Sequence, residues 1–513
     1  KCDAARPQCG QCARTPLFED CEYPDGGVSS TQLLEDQISS LEGRIERLQS
    51  VSRQGTPHSS WTPSPSASQG QQTADMRTMI QNFLRHSSQF GFFLNVNKFQ
   101  MAIINGVGER PTPVLVDVVS LWAIHLSNSE SPPSLSNSNN HEATYLSTAL
   151  RSVSDALSGT HTHNTIIHSI QAAILLSQYF IRNNRFLEGK YHLTAAISLV
   201  VGSGLHRIRA PAEQSAFPSA QSRARSSGNR RLPPPRDALE EAERVGAFWT
   251  ALRLDSCWTT VDGSANNLAY NNNADSDVRI DTPWPLDIDS FDINNNQILA
   301  TANTDTIGAF LANHPDNGTS ATALHAKATI LFDKASRLGW TYRLDLPNRD
   351  LQQFYAAFTA IDTRIESFKL QIPPVEFNPT SRELLLVHCL AHAATIQLHS
   401  PLAGDGDAPR LRVLDTARAV VRCLQAVPLQ ALGLVDPIMG PVLALSCQVF
   451  ITELRRLRRH RPADAYRQAL SLEEGSLRSA TDSLLTAMAV LAPRCPLMDT
   501  QLRSVQQAYQ GLG

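Results

Sequence analysis

From about residue 76 onward, apolar residues recur at spacings of three and four. That period places them on one face of successive helices. The pattern runs through 76–104, 113–127, 142–157, 165–182 and 185–205, and resumes over 238–261, 302–338, 348–371, 379–399, 408–427, 434–459 and 463–492. Strand-like alternation is scarce, and no internal repeat recurs at a fixed period. The pattern predicts a large all-α domain over 76–500, in one or two lobes. Two stretches interrupt it. Residues 206–237 carry Arg223, Arg225, Arg230 and Arg231 ahead of three consecutive prolines, and predict a mobile loop. Residues 262–298 are rich in Asn and Asp and predict a long ordered loop.

Before residue 76 the character changes. Residues 51–75 are mostly Ser, Pro, Gln and Thr, too poor in apolar side chains to offset chain entropy, and predict a disordered linker. Residues 30–50 predict a helix. In it Leu34, Ile38, Leu41, Ile45 and Leu48 are spaced four, three, four and three, with Leu at d and Ile at a. That choice favours a parallel two-stranded coiled coil. Glu35, Glu42 and Arg44 flank the seam, whereas Gly43 weakens the helix by about 1 kcal/mol. The competing reading is an amphipathic helix packed on the large domain.

Composition narrows the function. The chain has 513 residues, 42% of them hydrophobic, ample for one or two cores. Lys and Arg number 45 against 48 Asp and Glu, so any contact with nucleic acid has to be local. No apolar run is long enough to span a bilayer, and no membrane partner is expected. No phosphate-binding glycine loop or nucleophile elbow is present, so the chain is not expected to be an enzyme.

Nine cysteines divide into two groups. Cys257, Cys389, Cys423, Cys447 and Cys495 are scattered through helical stretches and are expected as buried thiols. Cys2, Cys9, Cys12 and Cys21 crowd together as C-x6-C-x2-C-x8-C. Thiolates are strong zinc ligands, and a two-residue gap lets two sulfurs reach one ion from a tight turn. Four exposed thiols without a metal would be open to oxidation.

These residues resemble the second part of the fungal binuclear zinc cluster, in which six cysteines hold two zinc ions. Lys1-Cys2-Asp3 matches the end of the family's basic stretch, and Arg6-Pro7-Gln8-Cys9 matches its loop. Cys9-Gly10-Gln11-Cys12 and Cys21-Glu22-Tyr23-Pro24 match the second CxxC and the close. The family's first two cysteines and most of its basic run are missing here, and the chain reads as starting inside that module. The resemblance implies that Cys9 bridges the two ions, Cys2 is terminal on one, and Cys12 and Cys21 are terminal on the other. It implies a phosphate contact for Lys1, with Arg6 and Arg14 either adding backbone contacts or lying solvated. It also implies CGG-type half-sites on double-stranded DNA, a homodimer joined by the coiled coil after a linker at 25–30, and a nuclear location.

The large region is similar to the fungus-specific regulatory domain found downstream of such clusters. Glu243 to Trp249 leads into Leu252-Arg253-Leu254-Asp255-Ser256-Cys257-Trp258, like the family's signature helix. Tyr191 to Ala196, Gly204-Leu205-His206, Thr282-Pro283-Trp284-Pro285 and Leu385 to Leu402 resemble neighbouring segments. Phe248, Trp249, Leu252 and Trp258 are expected as packing, and Arg253 and Asp255 as local pairs or caps. His388 and His392 lie one turn apart and could share a metal, although histidines on an apolar helix more often hydrogen-bond inside a core. Arg455 to Arg461 reads either as a nuclear import signal or as the cationic end of a helix closed by Pro462. The expected function is a zinc-dependent regulator of RNA polymerase II transcription, responsive to a small molecule or a protein. The alternative is a helical interaction protein whose cluster does not bind DNA.

Overall fold

Helix α7 (Ala238–Asp262) shows how the fold is built. It is flanked by turn-forming residues at both ends. Asp237 accepts from Glu240 N at 2.7 Å as its N-cap, and Gly263 ends it with φ of 74°. Between them the helix is buried on every side, which makes it a central element rather than a surface one. Two of its buried carboxylates have partners. Glu240 pairs with Arg244 at 2.6 Å and with Arg236 at 2.9 Å, and Glu243 accepts from Asn95 N.

The chain was examined as a computed structural model, which describes residues 67–130, 138–158, 163–208, 232–268, 280–288, 305–342, 347–376, 381–404, 406–459 and 467–511. Contacts divide the chain into Lys1–Gly70 and Gln71–Gly513. The second unit is all-α, with no strand among the described residues.

Its elements are α1 (Ala67–His86), α2 (Val96–Gln100), α3 (Pro113–Glu130), α4 (Ser138–Ser158), α5 (His163–Arg182), α6 (Phe186–Gly202), α7, α8 (Thr306–Leu311), α9 (Ala321–Thr341), α10 (Asn348–Lys369), α11 (Ser381–His399), α12 (Asp407–Gln425), α13 (Leu429–Leu432), α14 (Met439–Arg459), α15 (Arg467–Leu491) and α16 (Pro496–Gln510). α3 to α6 pack together, and α7 lies between α6 and α9. α9 packs on α11, α11 on α12, and α14 on both α15 and α16. One apolar core runs through all of them, from Phe83 and Trp122 at one end to Phe450 and Leu484 at the other.

Three expectations need correction. The helix expected over 302–338 is two helices, because Asn313-His314-Pro315-Asp316-Asn317-Gly318 is turn chemistry and Asn313 takes φ of 60°. α1 starts at Ala67, inside the stretch 51–75 expected as linker. α16 was not expected: Pro496 opens it at the first helical turn instead of ending the preceding helix. The coiled coil over 30–50 lies outside the described residues.

Among the described residues, the core holds a guanidinium without a hydrogen-bond partner. Arg182, at the end of α5, is fully buried, its guanidinium carbon is 5.4 Å from the Phe90 ring centre, and none of its three nitrogens has a hydrogen-bond partner. A buried ion held by so little costs several kcal/mol, and an apolar residue of similar volume is often more stable. Arg182→Met is therefore expected to stabilise the fold by about 1–4 kcal/mol, read as a higher denaturant midpoint; a lower midpoint would show that Arg182 has a partner the fold depends on.

Candidate functional site

A cavity of about 510 Å³ opens between the segment 88–93, α7, the segment 285–288, the start of α9, and α11. That volume suits a small organic molecule. Another cavity in the same body, beside His168 and Arg236, holds only about 50 Å³.

Small residues let the backbone form its wall. Gly91 sits at φ of 76°, and a Cβ there would lie 2.9 Å from Thr250 Cγ2. A Cβ on Gly246 would meet Phe93 Cβ at 3.2 Å. Gln171, buried on α5, fixes the same segment by accepting from Phe93 N at 2.7 Å and donating to the Gly91 carbonyl at 3.0 Å.

The far wall joins segments that the sequence had singled out separately. Trp249 stacks on Trp284 with ring centres 4.6 Å apart, and its Nε1–H donates to the Pro283 carbonyl at 2.6 Å. Thr282 Oγ1 donates to the Leu205 carbonyl at 2.6 Å, and Asp281 N to the His206 carbonyl at 3.2 Å. Asp287 accepts from Ala321 N, Thr322 N and Thr322 Oγ1 at 2.9–3.2 Å, capping α9 where it meets the cavity. Phe248, Trp249, Leu252 and Trp258 are core, as expected, and Trp249 is also cavity wall.

The polar end was not legible. Arg253 donates to His325 Nδ1 at 2.5 Å and to Thr250 Oγ1 at 3.4 Å, with no ion pair to a carboxylate. It does not pair with Asp255, which instead accepts from Asn267 Nδ2 and Leu268 N. Burial, then the neighbouring guanidinium, hold His325 well below the usual imidazole range, so it is neutral and accepts. Asp436 faces the same space. Burial pushes its carboxyl up to about 6, against the pull of the Ile438 N–H and Arg253. Burial also raises Glu383, which accepts from Gln89 Nε2 at 3.4 Å.

A pocket of about 20 Å³ shares Arg253, His325 and Asp436 with the cavity and reaches Gln178, Cys257 and Trp258. Both amide atoms of Gln178 and Trp258 Nε1 are buried there without a partner. Burial pushes the Cys257 thiol up to about 12, so it is protonated at neutral pH. The arrangement offers an aromatic and aliphatic body with one guanidinium, one neutral imidazole and two carboxyls of weakened acidity at its end. Such a lining has the chemistry to orient the polar group of an amphipathic molecule.

Of the residues predicted as sites, Cys2, Cys9, Cys12, Cys21, Lys1, Leu34, Ile38, Leu41, Ile45 and Leu48 all lie outside the described residues. Cys257, Cys389, Cys447 and Cys495 are buried free thiols, while Cys423 is only half-buried. α14 ends at Arg459. In its basic run Arg456 pairs with Glu453 at 2.6 Å, Arg458 with Glu474 at 3.7 Å, and Arg455 reaches the Ala508 carbonyl. No described helix is long and apolar enough to cross a membrane. No family model, curated protein or solved structure matches this chain.

Proposed function

We propose that this chain is a zinc-dependent, sequence-specific DNA-binding regulator of RNA polymerase II transcription in the nucleus, working as a dimer, whose helical body is set by a small molecule. The observation that carries the DNA-binding half is the run Lys1-Cys2-Asp3 with Cys9, Cys12 and Cys21 at their spacing. Its donor set is right for zinc: thiolates are the ligands of closed structural sites. The resemblance asks for two ions over six cysteines, and this chain contributes four of those ligands. Zinc would tie that segment into one fold, and Lys1 would contact a DNA phosphate, giving affinity and register rather than sequence. The heptad from Leu34 to Leu48 supports pairing of two chains and a fixed half-site spacing. The cavity beside Trp249 and Arg253 supports the regulatory half, with a ligand whose apolar part meets Trp249 and whose polar group meets Arg253 and Asp436.

The test is metal content. The chain expressed together with whatever its gene encodes upstream of Lys1 is expected to hold two zinc ions in the cysteine segment. Cys9→Ser should remove both, because the shared ligand is lost. One ion per chain, or two that survive Cys9→Ser, would contradict the binuclear assignment. Zinc-free protein that keeps its helical body would favour the interaction protein without DNA binding.

A further inference from the structure

The sequence set His388 beside His392 on one helix, and the fold adds a third ligand from another. Cys423, on α12, meets them from across the α11–α12 packing, and one ligand atom from each of the three lies within 4.8 Å of the other two. It is the one such cluster of three among the described residues. We propose that His388, His392 and Cys423 form a binding site for a thiophilic d10 metal ion, Zn2+ or Cu+.

Three observations carry it. First, the donor set is soft and of the right size. An ion about 2.0–2.3 Å from each ligand needs them roughly 3.3–3.7 Å apart, so side-chain rotation of about 1 Å closes the site. Second, His388 Nε2–H donates to the Pro373 carbonyl at 2.8 Å. Metal-bound histidines characteristically donate their second nitrogen in this way, which leaves the Nδ1 lone pair for the ion. Third, His392 Nδ1 is buried without any partner. His399 on the same helix meets Asp362 at 2.9 Å; other buried ring nitrogens such as His192 Nδ1 also lack a partner, but among the described residues only His392 of these belongs to a group of three ligands.

The surroundings limit the charge of the complex. Lys369 and Arg422 stand near His392, and Lys369 is partly matched by Glu366 at 2.9 Å. A thiolate with Cu+ is neutral and with Zn2+ carries one positive charge, so the cations favour the monovalent ion or an added anion in the fourth position. All three residues are half-buried. α11 also carries Glu383 and Leu386 to the cavity, on a face roughly opposite His388 and His392 by the 3.6-residue turn. An ion bridging α11 to α12 would clamp the helix that forms the cavity wall. The proposal does not rest on DNA binding.

The test uses the full chain with Cys2→Ser, Cys9→Ser, Cys12→Ser and Cys21→Ser, so that bound metal reports on the helical body alone. After equilibration with Zn2+, or with Cu+ under reductant, and removal of free metal, one ion per chain is expected to remain. Adding Cys423→Ala or His388→Ala should weaken binding by about 100-fold or more. Co2+ should give a thiolate-to-metal charge-transfer band that Cys423→Ser abolishes while helicity and the cooperative melt are kept. Retention of Cu+ but not Zn2+, or the reverse, identifies the ion. A well-folded parent that binds neither ion overturns the proposal, as does binding unchanged by both Cys423→Ala and His388→Ala.

Discussion

Trp249→Ala is expected to cost the helical body about 3–5 kcal/mol and to lower its melting temperature by roughly 3–5 °C. The side chain is 1% exposed, stacks on Trp284, and packs edge-on against Phe248 at 5.0 Å. Removing it deletes apolar burial and both ring contacts. It also strands the Pro283 carbonyl that its indole satisfies. The deletion enlarges a cavity of about 510 Å³ that the ring already borders, which adds to the cost. Since Trp284 belongs to the segment that forms the far wall, the same change should loosen residues 281–288 and weaken any ligand bound there. Trp249→Phe keeps a ring for the stack and loses the indole donor, so it should cost about 1–3 kcal/mol. Urea unfolding of both variants checks the order. Equal costs would mean that the stack contributes little and the hydrogen bond dominates.

The second large effect is with acid. His168 and His192 are held down to about 4 by burial, and His325 well below the usual range by burial and then Arg253. Their surroundings fit neutral rings. His168 Nδ1 accepts from Thr112 N at 3.3 Å, and His192 stacks on Phe180 at 5.4 Å. In the unfolded chain each titrates near 6.5, so below that the unfolded state binds more protons. Their stabilising contribution is therefore complete above about pH 6.5 and is lost as pH falls below it, on the order of 3 kcal/mol each for His168 and His192. Asp436 works the other way. Its raised carboxyl makes the fold less stable as pH rises from about 4 to 6. Glu243, Asp255 and Glu383, also raised by burial, act in the same direction, while His392, held down to about 3 by burial, joins the other histidines. Glu142 adds a later loss. Burial raises it, but hydrogen bonds from His125, Asn128 and Tyr179 prevail and hold it down to about 2, so its contribution disappears below about pH 4.5. The denaturant midpoint should thus fall steadily from pH 7 to 4, and His192→Gln should flatten that slope. A midpoint that holds or rises over this range would show that the carboxyls dominate.

The helices were legible because each buries one stripe, and a period near 3.6 records that in the sequence. α7 shows the limit of the same signal. Its bounds were read to within a residue, but its burial on all sides was not, since Glu240, Glu241, Glu243 and Arg244 look like a solvated face until their partners are seen. The turn at 313–318 and the start of α16 were misread for local reasons. A turn-forming run of Asn, Pro and Gly was taken as helix, and the helical pattern was read only as far as residue 492, short of the helix that Pro496 opens. The cavity and the His388 cluster were hidden for a different reason. Arg253, His325, Glu383 and Asp436 come from four parts of the chain, and Cys423 from a helix other than that of His388 and His392. Side-chain convergence across packed helices leaves no spacing to read. The cysteines at the start of the chain are the reverse case, where spacing alone carries the inference.

The most direct test of the central claim is selection of binding sites from random duplex DNA by the chain expressed with its upstream coding sequence, with and without zinc. The account predicts enrichment of paired CGG-type half-sites at one fixed spacing, lost on chelation and on Cys12→Ser, with the spacing released when Leu41 and Ile45 are replaced by polar residues. Recovery of no motif by folded, zinc-loaded protein would contradict it.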